Sequence, residues 1–314
     1  MVDEFYEYQR NVMSLYREQR YRDALNLALQ KMNDFPDRRG RSALWIASLY
    51  GMLGEQEKSI QMLRESLAAG YWTSKQALLR DPAFESLRGR EEFESILGEC
   101  ESLRARAFAH ARPSFNVFTP EAYSSGQQYP LVMALAFNSV DDSRFWKQAL
   151  SANVIVAVLQ SSQPYARDMY SWDDLDRSQK DVAHVFSELS SNFPIHRQKL
   201  ILTGFSQGAA LAIYLALSKS PSCLGFIGIC PAPTITPSRA GEYASFLKAN
   251  SARGLKGWIL SGEKDSFLPT IKNYCDSLIQ NGSDCKLIVE PNLGHEYPPN
   301  LSARLVEGVH HTLA

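Results

Sequence analysis

The spacing of apolar residues divides the chain into two parts with different predicted structures. From residue 4 to about residue 107, apolar side chains recur every three or four positions, as at Tyr8, Val12 and Leu15. This spacing gathers them on one face of a helix, so the first part is predicted to consist of amphipathic helices. From Pro113 onwards, short apolar runs alternate with longer stretches of helical periodicity, which predicts strands and helices in turn.

The second part is predicted to form a mostly parallel α/β fold. Runs such as 154–159 contain no alternating polar residues, which is typical of strands that helices cover on both faces. In such a sheet the chemistry is expected at the carboxyl ends of the strands. The predicted strands are 115–119, 131–137, 154–160, 199–204, 225–229, 255–260 and 286–290, and the predicted helices are 144–151, 172–192, 207–218, 239–250, 268–281 and 301–312.

Charge and proline content place the boundary between the two parts near Arg112. Residues 1–112 contain 17 Lys and Arg, 17 Asp and Glu, and 2 prolines. Residues 113–314 contain 16 Lys and Arg, 17 Asp and Glu, and 13 prolines, although this part is nearly twice as long. We therefore predict a smaller all-helical domain over 1–112 and an α/β domain over 113–314. The formal net charge of −1 argues against a dedicated nucleic-acid-binding protein, which needs a basic surface.

The helical part contains a loose internal repeat. Segment 19–28 recurs at 54–63 with Ala24 and Ser59 in equivalent positions, and a weaker third copy is assigned to 74–97. This pattern resembles the tetratricopeptide repeat, in which small residues let paired helices approach closely. The resemblance implies a groove for a peptide or partner protein. A helical cap that packs on the α/β domain or mediates self-association is an equally open interpretation.

Cysteine usage and the distribution of apolar runs favour a cytoplasmic protein. The five cysteines are odd in number and show no CxxC spacing, so they cannot all form intramolecular disulfides. The N-terminus lacks the basic and apolar regions of a signal peptide, and the longest apolar runs, 154–159 and 208–217, are too short for a bilayer. We expect a soluble protein without a membrane span.

One motif in the second part is typical of nucleophilic catalysis. Gly204-Phe-Ser206-Gln-Gly208 follows an apolar run and opens a small-residue helix. A G-x-S-x-G sequence in this context predicts a nucleophile elbow, a sharp turn that presents the serine above the sheet. Ser206 is therefore the candidate nucleophile.

Ser206 needs a neutral imidazole within hydrogen-bond reach, because a serine hydroxyl is a poor nucleophile at neutral pH. His295 lies in a loop directly after the predicted strand 286–290, between a glycine and a proline that shape that loop. It is the candidate base. The other five histidines are expected to be surface or packing residues: His110, His184, His196, His310 and His311.

The carboxylate that orients the imidazole is expected after the preceding strand, 255–260. In this fold the acid lies between the serine and the histidine in the chain. Asp265 fits because Gly-x-x-Asp places its carboxylate just beyond the strand, and Glu263 in the same loop is a rival acid. The order Ser206, Asp265, His295 is that of the expected triad.

Four segments carry a family resemblance: Tyr-Pro-Leu-Val-Met from residue 129, Gly-Phe-Ser-Gln-Gly-Ala-Ala from 204, Gly-Glu-Lys-Asp from 262 and Gly-His-Glu-Tyr-Pro from 294. Over about residues 113–314 the chain resembles the α/β-hydrolase superfamily, specifically its phospholipase/carboxylesterase (acyl-protein thioesterase-like) and esterase D-like branches. The resemblance implies hydrolysis of the ester or thioester bond of a small or acyl substrate through Ser206, His295 and Asp265. It implies no metal and no organic cofactor.

The resemblance also implies two backbone N–H donors for an oxyanion. One belongs to Gln207, and the other belongs to a residue after strand 131–135, which is Asn138 here. Those families have His-Gly where this chain has Ala136 and Phe137. A backbone donor survives side-chain replacement, but phenylalanine in place of glycine restricts the loop. This departure keeps open an inactive domain that serves as a binding or scaffold protein.

The substrate pocket is less clearly indicated. A long aromatic loop follows strand 154–160, and Ser171 with Asp174 is expected to cap the next helix. The aromatic residues could equally pack this loop onto the sheet. A serine peptidase of the same fold is a further open function. The candidate pocket residues are Phe137, Tyr170, Trp172, Phe267 and Tyr297.

Overall fold

The computed structural model describes residues 4–136, 143–235 and 240–314. The chain divides into two compact units. The first comprises the residues up to His110 together with Pro164–Arg167, and the second comprises Ala111–Gln163 and Asp168–Ala314. Within the described ranges, no helix combines the length and the apolar character needed to cross a membrane.

The first unit is built from helices, which confirms the prediction for this part. Consecutive helices α1 to α4 pack against one another, so each buries its apolar stripe on its neighbours in the chain. Short 3₁₀ turns at Pro36–Arg38 and Pro82–Leu87 interrupt the series. The helices are α1 Glu4–Arg17, α2 Tyr21–Lys31, α3 Arg39–Met52, α4 Gln56–Ala68, α5 Lys75–Arg80 and α6 Glu91–His110.

The equivalent positions of the internal repeat lie in α2 and α4. Ala24 and Ser59 are both completely buried. Ser59 donates its hydroxyl to the Ala47 carbonyl at 2.8 Å, so its polar group is satisfied inside the helix pair. Small side chains thus occur where helices approach closely. The assignment of these helices to the tetratricopeptide class stays a prediction.

A short segment from later in the chain completes the first unit. The Tyr165 carbonyl accepts the backbone N–H of Ser74 at 2.6 Å, and the Arg167 N–H donates to the Trp72 carbonyl at 3.0 Å. The Arg167 guanidinium also lies 4.8 Å from the centre of the Tyr71 ring. Composition does not indicate this arrangement, because the segment lies within the charge-poor part of the sequence.

The second unit contains a seven-stranded sheet of order β1-β3-β2-β6-β7-β8-β9. All neighbours pair in parallel except β1, which is antiparallel to β3. The predicted mostly parallel α/β fold is therefore confirmed. The strands of this sheet are β1 Ser114–Phe118, β2 Tyr129–Ala136, β3 Ile155–Gln160, β6 Ile195–Phe205, β7 Gly225–Ile229, β8 Lys256–Gly262 and β9 Asp284–Glu290. Two short strands, β4 Pro164–Ala166 and β5 Met169–Tyr170, lie outside it.

Helices cover both faces of this sheet, which explains its continuous apolar strands. Successive residues of β2 contribute to opposite cores: Leu131 and Met133 to one, Val132 and Ala134 to the other. Because side chains alternate along a strand, a strand buried on both faces shows no polar alternation. The helices of this unit are α7 Ser143–Trp146, continued by a 3₁₀ turn Lys147–Ala152, α8 Leu175–Asn192, α9 Gln207–Ser218, α10 Ala240–Ala249, α11 Leu268–Gln280 and α12 Leu301–Leu313.

The predicted cap of α8 is wrong. The helix begins at Leu175 and is capped by Asp174, whose carboxylate accepts the Arg177 N–H at 3.0 Å. Ser171 donates its hydroxyl to Asp173 at 2.9 Å instead. Asp174 accordingly acts as the N-cap itself rather than as the third residue of a capping box that starts at Ser171.

Candidate active site

Ser206 lies on a strained turn between β6 and α9. Its backbone has φ 51° and ψ −115°, a region that residues other than glycine rarely adopt. A Cβ atom on Gly204 would lie 2.3 Å from the carbonyl carbon of Gly208, and one on Gly208 would lie 2.1 Å from the Leu135 oxygen. Strand and helix therefore approach so closely that only glycine fits on either side of the serine.

His295 lies between Ser206 and Asp265. Its Nε2 is 2.9 Å from Ser206 Oγ, and its Nδ1 is 2.9 Å from Asp265 Oδ2. The acid and the histidine follow the neighbouring parallel strands β8 and β9, whose carboxyl ends meet at one edge of the sheet. The structure thus brings together the three residues that the sequence predicts as a triad.

The Asp265 carboxylate is buried and fully engaged. It accepts the Phe267 backbone N–H at 2.9 Å and the Ser261 hydroxyl at 3.2 Å, in addition to facing His295. Burial raises the pKa of Asp265, but the hydrogen bonds from His295, Phe267 and Ser261 outweigh it and leave the pKa below its ordinary value. A lowered pKa means that ionised Asp265 stabilises the folded state at neutral pH, a contribution lost only as pH falls through that pKa.

The rival acid Glu263 is placed differently. It is exposed, and its carboxylate accepts the backbone N–H of Asn292 at 3.0 Å. Glu263 therefore stabilises the loop that contains the histidine, whereas Asp265 is the carboxylate that contacts the imidazole. Two other histidines also have partners of their own: His184 is 3.9 Å from Glu188 on α8, and His311 is 3.1 Å from the Asp284 carbonyl oxygen.

Aromatic rings surround the imidazole. The Phe205 ring centre is 5.0 Å from that of His295, and Phe267 meets the same ring edge-on at 5.3 Å. The Tyr297 ring stacks on Phe145 with ring centres 4.1 Å apart, and it lies tilted by 32° against Phe205 at 4.5 Å. Phe267 and Tyr297, two predicted pocket residues, thus border the candidate triad. Sequence reasoning missed Phe205, although its place between Gly204 and the serine was a signal.

The other predicted pocket residues have different placements. Trp172 is completely buried, and its indole N–H donates to the Ala136 carbonyl at 3.0 Å, which favours the packing interpretation for this side chain. Tyr170 is partly buried in β5. Phe137 lies outside the described residues, as does the candidate oxyanion donor Asn138.

Gln207, the other candidate oxyanion donor, is the first residue of α9. Its backbone N–H has no carbonyl acceptor within the helix, because the first N–H groups of a helix lack intrahelical partners. The helix dipole adds positive partial charge at this end. The arrangement can therefore stabilise a negative oxygen that forms next to Ser206.

Among the described residues, Cys230, Asp265 and His295 form a group that could in principle hold a metal ion, with ligand atoms within 4.8 Å of one another. Both ring nitrogens of His295 are already engaged with Ser206 and Asp265. Cys230 is buried, with its Sγ 3.6 Å from the Glu296 carbonyl oxygen. The thiol thus contacts the loop that carries the histidine.

We predict that Cys230 resists alkylation in the folded protein. Burial, followed by the charge of Asp265, raises the pKa of this thiol to about 12, and the thiolate is the reactive form. At pH 9, iodoacetamide should leave Cys230 unmodified in native protein and modify it fully in guanidinium chloride, as measured by mass spectrometry. Equal modification rates in both states would contradict this expectation.

Two family models match the chain. Residues 5–108 match the model described as A/B hydrolase-like, N-terminal domain, and residues 160–249 match the Phospholipase/Carboxylesterase model. The chain is an α/β hydrolase of the carboxylesterase type. The superfamily and the enzyme class predicted from the sequence motifs are thereby confirmed.

Solved structures show the same fold. An uncharacterized protein from Bacillus cereus ATCC 10987 shares 21% identity at a TM-score of 0.52, with 98% of each chain covered. A ferulic acid esterase shares 13% identity at a TM-score of 0.51, over 64% of this chain and 92% of that one. No protein with a curated description matches the sequence significantly. At these identities the structural likeness concerns the fold alone.

Proposed function

We propose that this hydrolase cleaves carboxylic ester or thioester bonds of a small or acyl substrate through Ser206, His295 and Asp265. The observation that carries the proposal is the position of His295, 2.9 Å from both the serine hydroxyl and the buried carboxylate. A serine activated in this way is the established arrangement for acyl transfer.

In the proposed reaction, Ser206 Oγ attacks the acyl carbonyl carbon while His295 Nε2 accepts the hydroxyl proton. Asp265 holds the proton on Nδ1, which keeps Nε2 free to act as the base. The imidazolium then protonates the leaving alcohol or thiol. Water, activated by the same histidine, releases the acyl group and regenerates Ser206.

The negative oxygen of the tetrahedral intermediate requires hydrogen-bond donors. The Gln207 N–H at the start of α9 is the proposed donor on the serine side, and the Asn138 N–H is the proposed second donor. The hydrogen-bonded triad argues against the alternative of an inactive scaffold, because a domain without activity would have no need of a strained serine and a buried ionised acid.

A fluorophosphonate probe tests the proposed nucleophile. We expect one covalent adduct per folded chain, mapped to Ser206 by mass spectrometry of the modified peptide, because such probes react with activated serines. Ser206→Ala should show none. Ser218→Ala, which alters a serine at the other end of α9, is the matched control and should be labelled normally. A wild-type protein without an adduct, or an adduct elsewhere, would contradict the proposal.

A substrate series tests the bond type. We expect turnover of p-nitrophenyl esters and acyl thioesters, and none of aminoacyl amides under the same conditions, measured by release of nitrophenol, thiol or arylamine. Faster cleavage of the amides than of the esters would instead favour the peptidase function.

A further inference from the structure

The loop between β3 and α8 is held at its base by its own hydrogen bonds. The Gln163 carbonyl accepts the Ser171 N–H at 2.9 Å. The Gln163 side chain accepts the Asp174 N–H at 2.7 Å and donates to the Asp174 carbonyl at 3.2 Å. Trp172 lies between these two points of attachment. Hydrogen bonds within the loop therefore hold the Trp172 backbone independently of its contacts with other segments.

Trp172 uses both of its N–H groups to join other segments. Its indole N–H donates to the carbonyl of Ala136, the last residue of β2, at 3.0 Å. Its backbone N–H donates to the side-chain oxygen of Gln207 at 2.9 Å. The side chain is completely buried, so water does not compete for the indole bond. One residue thus connects the end of β2 with the residue next to the nucleophile.

The Gln207 side chain extends these connections. Its amide nitrogen donates to the Asp173 carboxylate at 2.9 Å and to the Ile235 carbonyl at 2.8 Å. Both amide donors and the amide oxygen are thus used, which fixes the orientation of the side chain. We call Trp172, Asp173, the Gln207 side chain and the carbonyls of Ala136 and Ile235 the Trp172 clamp.

We propose that Trp172 is a positioning residue for oxyanion stabilisation, acting through the Trp172 clamp on the backbone N–H of Gln207. This inference rests on the proposed function. The N–H belongs to the residue whose side chain the clamp holds, so a looser side chain allows the first turn of α9 to shift. An oxyanion donor contributes only while it points at the place where negative charge develops.

A purely structural role makes a different prediction. If Trp172 only filled space, phenylalanine would preserve most of its packing and activity would follow stability. A positioning role predicts a change in kcat with little change in KM, because the oxyanion forms only after the substrate has bound. The two roles therefore differ in the kinetic parameter that changes.

The decisive variant is Trp172→Phe, which removes the indole N–H and keeps an aromatic ring. With a p-nitrophenyl ester, we expect kcat to fall by about 10-fold with KM unchanged within about 2-fold, since outright loss of one oxyanion donor costs about 10²–10³-fold. A trifluoromethyl ketone forms a tetrahedral adduct with the serine, and its inhibition constant should rise by a similar factor. Thermal unfolding measures the stability of each variant.

Trp258→Phe is the matched control. Trp258 is also a buried tryptophan, but within the described residues its indole N–H has no hydrogen-bond partner. The Trp258→Phe variant should keep the wild-type kcat and the wild-type affinity for the trifluoromethyl ketone. Wild-type kcat in Trp172→Phe, or equal losses in both variants, would overturn the proposal.

Gln207→Ala keeps the backbone N–H and removes the side-chain bonds. We expect it to lower kcat at least as much as Trp172→Phe, and the double variant to lose less than the product of the two single effects. If Trp172→Phe does not fold, wild-type kcat in Gln207→Ala overturns the inference by itself. If fluorophosphonate does not label the wild-type chain, both the proposed function and this inference are contradicted. If Trp172→Phe and Gln207→Ala are labelled and keep the wild-type kcat, only this inference is overturned.

Discussion

Replacing Asp265 by asparagine is expected to lower kcat by about 10⁴-fold while the chain stays folded. The Phe267 N–H faces Asp265 Oδ1, so the asparagine oxygen will occupy that position. The amide nitrogen then faces His295 Nδ1, where Asp265 Oδ2 now lies at 2.9 Å. An N–H donor at this place forces the ring proton onto Nε2, and the histidine can no longer accept the proton of Ser206.

Glu263→Gln provides the matched control for this experiment. Both substitutions exchange a carboxylate for an amide in the same loop, but Glu263 is exposed and bonds to the Asn292 backbone N–H. We expect Glu263→Gln to keep kcat within about 2-fold of wild type, because its oxygen still accepts that N–H. Steady-state hydrolysis of a p-nitrophenyl ester measures both variants. A larger loss in Glu263→Gln than in Asp265→Asn would reverse the assignment of the acid.

The sequence was sufficient to predict the three candidate catalytic residues because each follows a predictable strand. A parallel sheet brings the carboxyl ends of its strands together, so Ser206 after β6, Asp265 after β8 and His295 after β9 had to lie at one edge. The glycines around the serine gave an equally local signal. These predictions needed only the order of the elements along the chain and the chemistry of the residue types.

Other features depend on contacts that local patterns do not contain. The Trp172 clamp joins residues far apart in sequence, and nothing in its loop distinguishes a tryptophan that bonds to Ala136 from one that lines a pocket. Strand β6 begins at Ile195, four residues before the predicted start. The prediction began too late because the polar residues 196–198, which are partly or fully exposed, interrupt the apolar run. Pairing with β2 at Tyr129 extends the sheet there. Tertiary contacts therefore determine both the role of Trp172 and the start of β6.

Gly208→Ala is expected to destabilise the protein by about 3 kcal/mol or more and to abolish measurable ester hydrolysis. The new Cβ would lie 2.1 Å from the Leu135 carbonyl oxygen, a backbone atom in the central strand β2. Strand β2 cannot move away from the clash, because it pairs with β3 and β6 on its two sides. The clash must therefore displace the first turn of α9, which contains the Gln207 N–H and directly follows Ser206.

Gly241→Ala is the control for the conformational effect of replacing a helical glycine. Gly241 lies in α10 of the same unit, and a Cβ atom there meets no atom within 4 Å. Alanine favours a helix over glycine, so we expect this variant to be as stable as wild type or more stable by up to about 1 kcal/mol. Urea unfolding and ester hydrolysis measure both variants. Wild-type stability in Gly208→Ala would mean that strand and helix separate easily, and the close approach could then not be what holds the serine in its strained conformation.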